Sequence, residues 1–194
     1  MRKTLLVLAL SLSAVCRVEA QENNLQPVAQ FKIVVAGTES DYITGGNAYV
    51  FSNENGVLKG EASSTVISLR YDSTDGNEWW SFDFEAKTGE ILEADHTYEN
   101  AVRYPFNDDV SVDDSGKSKV NGIDVSSTGR GCNTITGKFK IREIQIDPKT
   151  NELQRLSLTF NQHCEGGQEE AVGAISLDNS KTPKLIKTPA LKVP

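Results

Sequence analysis

Apolar and polar residues alternate with a period of two along most of this chain, and no segment keeps a helical period over three turns. Phe31–Ala36 is a β-rich run and the predicted first strand. Turn-forming residues follow around Asp41-Tyr42-Ile43-Thr44-Gly45-Gly46, and Asn47–Ser52 alternates again. Asn55-Gly56 is the strongest short hairpin signal in the chain, which predicts that Val57–Ser63 folds back on the preceding strand. Val66–Tyr71, Glu78–Phe84 and a short run at Glu90–Glu93 are predicted next, separated by the polar turn 72–77 and by Lys87-Thr88-Gly89.

In Glu78–Phe84 the residues Trp80, Phe82 and Phe84 share one face, and Trp79, Ser81 and Asp83 share the other. Trp79 is the unusual member, a large aromatic beside a serine and an aspartate. In the stretch Thr97–Phe106, Pro105 forbids a central-strand position because it lacks the N–H a ladder needs. Residues 107–117 read as an aspartate-rich loop, and strands resume at Val120–Ser126. Thr134–Ile146 is long, and its apolar phase slips from Ile135, Phe139 and Ile141 to Ile144 and Ile146. The slip predicts a β-bulge or bend near Arg142. Leu156, Leu158 and Phe160 alternate towards the core in phase with Gln162 and Cys164, and Ala171–Leu177 is the last strand. Roughly nine or ten short strands at this spacing predict an all-β fold, an antiparallel β-sandwich or a flattened barrel.

The two ends read differently. Residues 1–20 have a basic start at Arg2 and Lys3, an apolar run from Leu5 to Val15, and the small-residue site Val18-Glu19-Ala20, the order expected of a secretory signal peptide. The apolar run is too short to span a bilayer, and no later run is longer, so no membrane span is predicted. Residues 21–30 are polar and read as a flexible lead-in to a single β domain over 31–178. Residues 179–194 hold three prolines and four lysines, the composition of an extended tail.

The expected cleavage removes Cys16 and leaves Cys132 and Cys164, an even count in an exported chain, which predicts one disulfide. Two buried free thiols are the alternative. The loop closed by the bridge gives about 3–4 kcal/mol in the chain-entropy description. A zinc site including His163 is disfavoured, since neighbouring residues of a strand point to opposite faces. No metal and no cofactor is predicted.

Charge narrows the partners. The whole chain has 20 basic and 27 acidic residues, a net of −7. Three basic residues and one acidic residue lie in 1–20, which leaves a net of about −9. Four lysines and no acids follow Asp178, so the domain itself carries about −13. Such a surface repels nucleic acid and anionic lipid. The expected partner is an unidentified ligand or partner protein.

Several spaced pieces carry a resemblance. Asp41-Tyr42-Ile43 with Gly45-Gly46, the pair Trp79-Trp80, Thr97-Tyr98-Glu99-Asn100-Ala101 with Arg103, Pro105 and Phe106, Gly129-Arg130-Gly131-Cys132-Asn133, and Phe160-x-Gln162-His163-Cys164-Glu165-Gly166 resemble an uncharacterised β-rich domain of secreted bacterial proteins, over roughly residues 31–178. The resemblance implies export and a disulfide-bonded β-fold, and it implies no activity.

No catalytic motif stands out. His96 and His163 are the two histidines, and no Gly-x-Ser-x-Gly elbow supports a Ser-His-Asp arrangement. Carboxylates are too plentiful for any pair to be informative, and neither the Asp72 turn nor the Asp108–Asp114 loop has EF-hand spacing. The candidate ligand-binding residues are Trp79, Tyr98, Tyr104, Arg130, His163 and Glu165. Arg130 projects a fork-shaped cation from between two glycines, suited to a carboxylate ligand or to an internal partner such as Glu165 or an aspartate. The aromatics could line a sugar or apolar surface. The reading is an exported, non-catalytic binding module for an unidentified glycan, lipid or protein, with a secreted hydrolase of unrecognised site as the alternative. The hydrolase needs a pocket that holds a histidine beside a carboxylate.

Overall fold

The alternation builds one sheet that curls into a nearly closed barrel. The computed structural model describes residues 27–180. The predicted signal peptide, residues 21–26 of the lead-in and the tail from residue 181 lie outside the described residues. Ten strands run in the order β1 (Gln30–Gly37), β2 (Ala48–Ser52), β3 (Gly56–Ala62), β4 (Val66–Ser73), β5 (Trp79–Glu85), β6 (His96–Arg103), β7 (Gly122–Ser127), β8 (Ile135–Ile146), β9 (Leu153–Cys164) and β10 (Glu170–Asp178). The only helical element among the described residues is a 3-10 turn at Phe106–Asp109.

Around the sheet the order is β2-β1-β10-β9-β8-β6-β7-β5-β4-β3. The sandwich-or-barrel ambiguity resolves as a barrel because one continuous sheet, and not two facing sheets, covers the core. The barrel closes where β2 and β3 meet. There the Val28 N–H donates to the Leu58 carbonyl at 2.8 Å and Pro27 bridges Lys59. Asn53 accepts the Phe31 N–H and donates to the Val28 carbonyl. Pro27 and Val28, near the end of the expected lead-in, thus form part of the seam, and Val28 is buried; Gln30 already belongs to β1 and pairs with Asp178 of β10.

Three local expectations are corrected. Asn55-Gly56 does not make the predicted hairpin: the turn falls at residues 53–55, closed by the Asn55 N–H on the Ser52 carbonyl at 3.2 Å, Gly56 already belongs to β3, and β2 pairs with β1 while β3 pairs with β4. The Asn55 side chain takes the Ser52 N–H and donates to the Val50 carbonyl, groups a partner strand would otherwise hold. Glu90–Glu93 is loop rather than strand. Its Leu92 is buried and its backbone is held by Ser64 and by Tyr98. The sheet is not wholly antiparallel, since β6 and β7 run parallel at Val102–Gly122 and Arg103–Ile123. The slip predicted near Arg142 is present as a register shift between Ile141 and Glu143.

Inward residues fill the barrel. Trp80, Phe82, Phe84, Tyr98, Phe139, Ile33 and Leu58 are at most 1% exposed. Ring centroids lie 4.9 Å apart for Tyr49–Trp80, 4.3 Å for Phe51–Tyr71, 5.1 Å for Phe84–Phe139 and 4.5 Å for Tyr98–Phe139. Such pairs each add about 0.5–1.5 kcal/mol beyond the area they bury. The interior is a packed core, not a ligand chamber. No helix among the described residues is long and apolar enough to cross a membrane.

Candidate functional site

Three of the sequence pieces meet at one rim of the barrel. The β1–β2 loop brings Asp41 and Gly45-Gly46. The β7–β8 connection brings Arg130 and Cys132. The end of β9 brings Cys164 and Glu165. Cys132 and Cys164 form the predicted disulfide, with Cα atoms 5.5 Å apart. Beside it, the Glu165 carboxylate accepts the Asn133 N–H at 2.5 Å and the Thr134 hydroxyl at 3.1 Å. Those bonds hold its pKa below the ordinary glutamate value, the Asn133 N–H most of all. Glu165 is therefore a clasp on the disulfide loop, and it does not pair with Arg130.

The Arg130 backbone is fixed from two sides. Its N–H and C=O both exchange hydrogen bonds with Ser127 at 2.9 Å, closing a two-residue turn whose Gly129 sits at φ +71. Thr128 in that turn takes the Trp79 N–H at 2.8 Å and donates its own N–H to the Trp79 carbonyl. The half-buried guanidinium donates from Nη2 to the Tyr49 hydroxyl at 3.1 Å. Tyr49 donates in turn to the Thr44 carbonyl at 3.2 Å, and the Thr44 N–H and hydroxyl both go to Asp41 Oδ2, at 2.7 and 2.6 Å. The loop is tight because glycines allow it. A Cβ on Gly37 would lie 2.1 Å from the Thr44 hydroxyl, and one on Gly45 would lie 3.2 Å from Arg130 Nη1. This contact network explains why Asp41 and Gly45-Gly46 belong with Gly129-Arg130-Gly131, which lies far away in sequence.

Two buried polar atoms at this rim have no hydrogen-bond partner among the described residues, Asp41 Oδ1 and Ser127 Oγ. Arg130 has no carboxylate within 4.0 Å among the described residues. Arg70, Arg103 and Arg155 each have one, at 3.2, 3.7 and 3.2 Å. Tyr42, on the same loop as Gly45, is 55% exposed.

The remaining candidates separate. Tyr98 is not at any surface. It is fully buried on Phe139, and its hydroxyl donates to the Ile91 carbonyl at 2.7 Å and accepts the Glu93 N–H at 2.8 Å. An inward position in β6 decides this, together with the loop whose backbone groups the hydroxyl serves. Trp79 faces outward, half-buried, with the Arg70 guanidinium 4.6 Å above its ring. Tyr104 lines an open outer cleft of about 510 Å³ with Glu61, Ser68, Asn151 and Glu152. His163 has Nδ1 3.0 Å from the Glu169 carbonyl and Nε2 3.7 Å from Glu170. His96 lies 3.9–4.0 Å from Glu93 and Glu90 on a half-exposed surface.

One group escapes the sequence reading. Glu61, Ser68, Asp83 and Asp124 stand opposite one another across β3, β4, β5 and β7, all on the outer face. Arg103 Nε lies 3.7 Å from Asp124. Burial pushes the Asp124 carboxyl up to about 6, helped by the charge of Asp83, with Arg103 opposing. Burial raises Asp83 as well, against the pull of hydrogen bonds from Ser68 and Ser81. The outward phase of Asp83 is legible in the alternation. Its neighbour is not, because β7 reaches β5 only after the chain has passed through β6. No group of three or more histidine, cysteine or acidic side chains among the described residues is placed to hold a metal ion.

Fold and rim together define a disulfide-braced ten-stranded barrel with a filled interior and a buttressed arginine at one mouth. No family model, curated protein or solved structure matches the chain.

Proposed function

We propose that the chain is an exported, non-catalytic binding module that meets its ligand on its outside. The observation that supports this most is the filled interior. Trp80, Phe82, Phe84, Tyr98 and Phe139 occupy the space in which a barrel of this size would otherwise hold a small ligand. A lipid carried inside the barrel therefore has no room, which leaves the glycan and protein classes. Export rests on the leader-like order of residues 1–20 and on the disulfide, which persists in oxidising compartments such as the periplasm or the cell exterior. The resemblance to secreted bacterial β-rich domains points the same way.

The test uses oxidised protein starting at Gln21, immobilised and screened against a glycan array and against secreted-protein extracts. Saturable binding to a defined partner, with no turnover of it, is the expected result. Lipid co-purifying inside the barrel, or hydrolysis of a screened polymer, overturns the reading.

A hydrolase is the second reading, and one observation favours it. Neither histidine sits in a cleft with a carboxylate as first required, but Asp83 and Asp124 stand side by side with one carboxyl pushed up to about 6. A proton held at that pH suits a general acid. Activity on any polymer that disappears in both Asp83→Asn and Asp124→Asn would establish it.

A further inference from the structure

We infer that the Arg130 rim is a receptor for a single carboxylate group on an otherwise uncharged ligand. This rests on the reading that the module binds ligands on its outside, and it names the chemistry of one such site.

A guanidinium has five N–H donors in a planar fork. At Arg130 the bond to Tyr49 uses one of them among the described residues. The domain is strongly acidic, and Arg70, Arg103 and Arg155 have found carboxylates. Arg130 and the exposed Arg142 have none within 4.0 Å among the described residues, and of these two Arg130 is the half-buried one whose side chain is held in place. Its backbone is clamped by the Ser127 turn and braced by the neighbouring disulfide. Its side chain is oriented by Tyr49, Thr44 and Asp41, each held by the next. A surface arginine that merely solvates itself has no need of three ordered neighbours. Ser127, 1% exposed, adds a buried hydroxyl at this same rim that has no hydrogen-bond partner among the described residues.

The planar fork matches a carboxylate through two parallel hydrogen bonds. The surrounding negative charge sets the limit. One cation on so acidic a surface favours a monoanion and disfavours phosphate or a polyanion. Arg130 is the ligand contact, and Tyr49 is a positioning residue that acts through it.

The test is an NMR titration of the oxidised protein, following the backbone amides of residues 41–49 and 127–134 and the Arg130 Nε–H. The probes are N-acetylglycine and glucuronate, with N-acetylglycinamide and glucose as their uncharged counterparts and inorganic phosphate as the competing anion. Saturable shifts centred on Arg130 with at least one carboxylate, absent with its neutral counterpart, are expected. Which carboxylate binds more tightly separates a peptide terminus from an acidic sugar. Arg130→Gln is expected to weaken binding at least about tenfold, the loss of one charge-assisted hydrogen bond or more. Arg130→Lys is expected to recover only part of it. Tyr49→Phe keeps the ring on Trp80 and frees the guanidinium, and is expected to weaken binding a few-fold while the Arg130 Nε–H signal broadens.

Equal shifts with the neutral counterparts, phosphate binding as tightly as either carboxylate, or undiminished binding in Arg130→Gln each overturn the inference. So does the absence of shifts with both carboxylates. If Arg130→Gln does not fold, the wild-type contrast between charged and neutral probes and the Tyr49→Phe variant decide the matter. A partner captured in the outside-binding screen but insensitive to Arg130 overturns the carboxylate site and leaves the binding module standing.

Discussion

The side-chain amide of Gln162 does for Val125 what a neighbouring strand does elsewhere in the sheet. Its Oε1 accepts the Val125 N–H at 2.8 Å, and its Nε2 donates to the Val125 carbonyl at 2.9 Å. β6 pairs with β7 over only two residues and ends at Arg103, so the later part of β7 lacks a ladder on that side. Gln162, fully buried on β9, reaches across the barrel wall and fills the place. Gln162→Leu keeps the bulk and strands one buried donor and one buried acceptor. At about 1–3 kcal/mol for each unsatisfied group, urea unfolding should show a loss of roughly 2–5 kcal/mol.

The disulfide lies two residues beyond Gln162 and closes a 32-residue loop over β8 and β9. Cys132→Ser with Cys164→Ser should lower the unfolding free energy by about 3–4 kcal/mol in the chain-entropy description. Reduction of the wild-type protein should produce the same shift. Because the bridge also holds the Arg130 turn in place, the double variant should show faster amide exchange at residues 127–134 than elsewhere in the barrel.

Tyr98→Phe separates a core residue from a ligand residue. The phenol hydroxyl serves one carbonyl and one N–H of the 91–93 loop. Its removal should cost about 1–2 kcal/mol of stability and leave ligand binding unchanged, as calorimetry and the binding assay would show. Loss of binding without loss of stability would contradict the buried placement.

Asp124 makes stability depend on pH. Its folded pKa, about 6, exceeds the ordinary aspartate value of 3.8, so the native state takes up this proton before the unfolded state does. Between about pH 4 and pH 6 the native protein binds more protons than the unfolded chain, and this carboxyl lowers stability as pH rises through that window. Asp124→Asn removes the titration. Relative to wild type, it should be more stable at pH 7.5 than at pH 4.5 by roughly 1–2 kcal/mol, after discounting for partial solvent screening. The Arg103 contact, made by the ionised carboxylate, is already contained in the folded pKa of about 6.

Much of this barrel is legible as residue order. Period-two alternation marks eight of the strands to within two residues and the inward face of β9. The phase slip at Arg142 marks the bulge, because a strand's two faces meet different solvents whatever its neighbour is. β6, in the stretch read through its Pro105, is not marked as a strand. The pairing of Cys132 with Cys164 follows from their being the two cysteines left after the expected leader. Residue order does not say which strands become neighbours. The Asn55-Gly56 signal is local and predicts a hairpin that does not form, because the closing of the sheet gave β2 to β1 and β3 to β4. The same non-local choice set Asp83 beside Asp124, sent Tyr98 inward under the 91–93 loop, and gave Arg130 to Tyr49 rather than to Glu165. Alternation states only that a side chain points in or out. What it meets there depends on register between segments far apart in the chain, and only the folded sheet determines that.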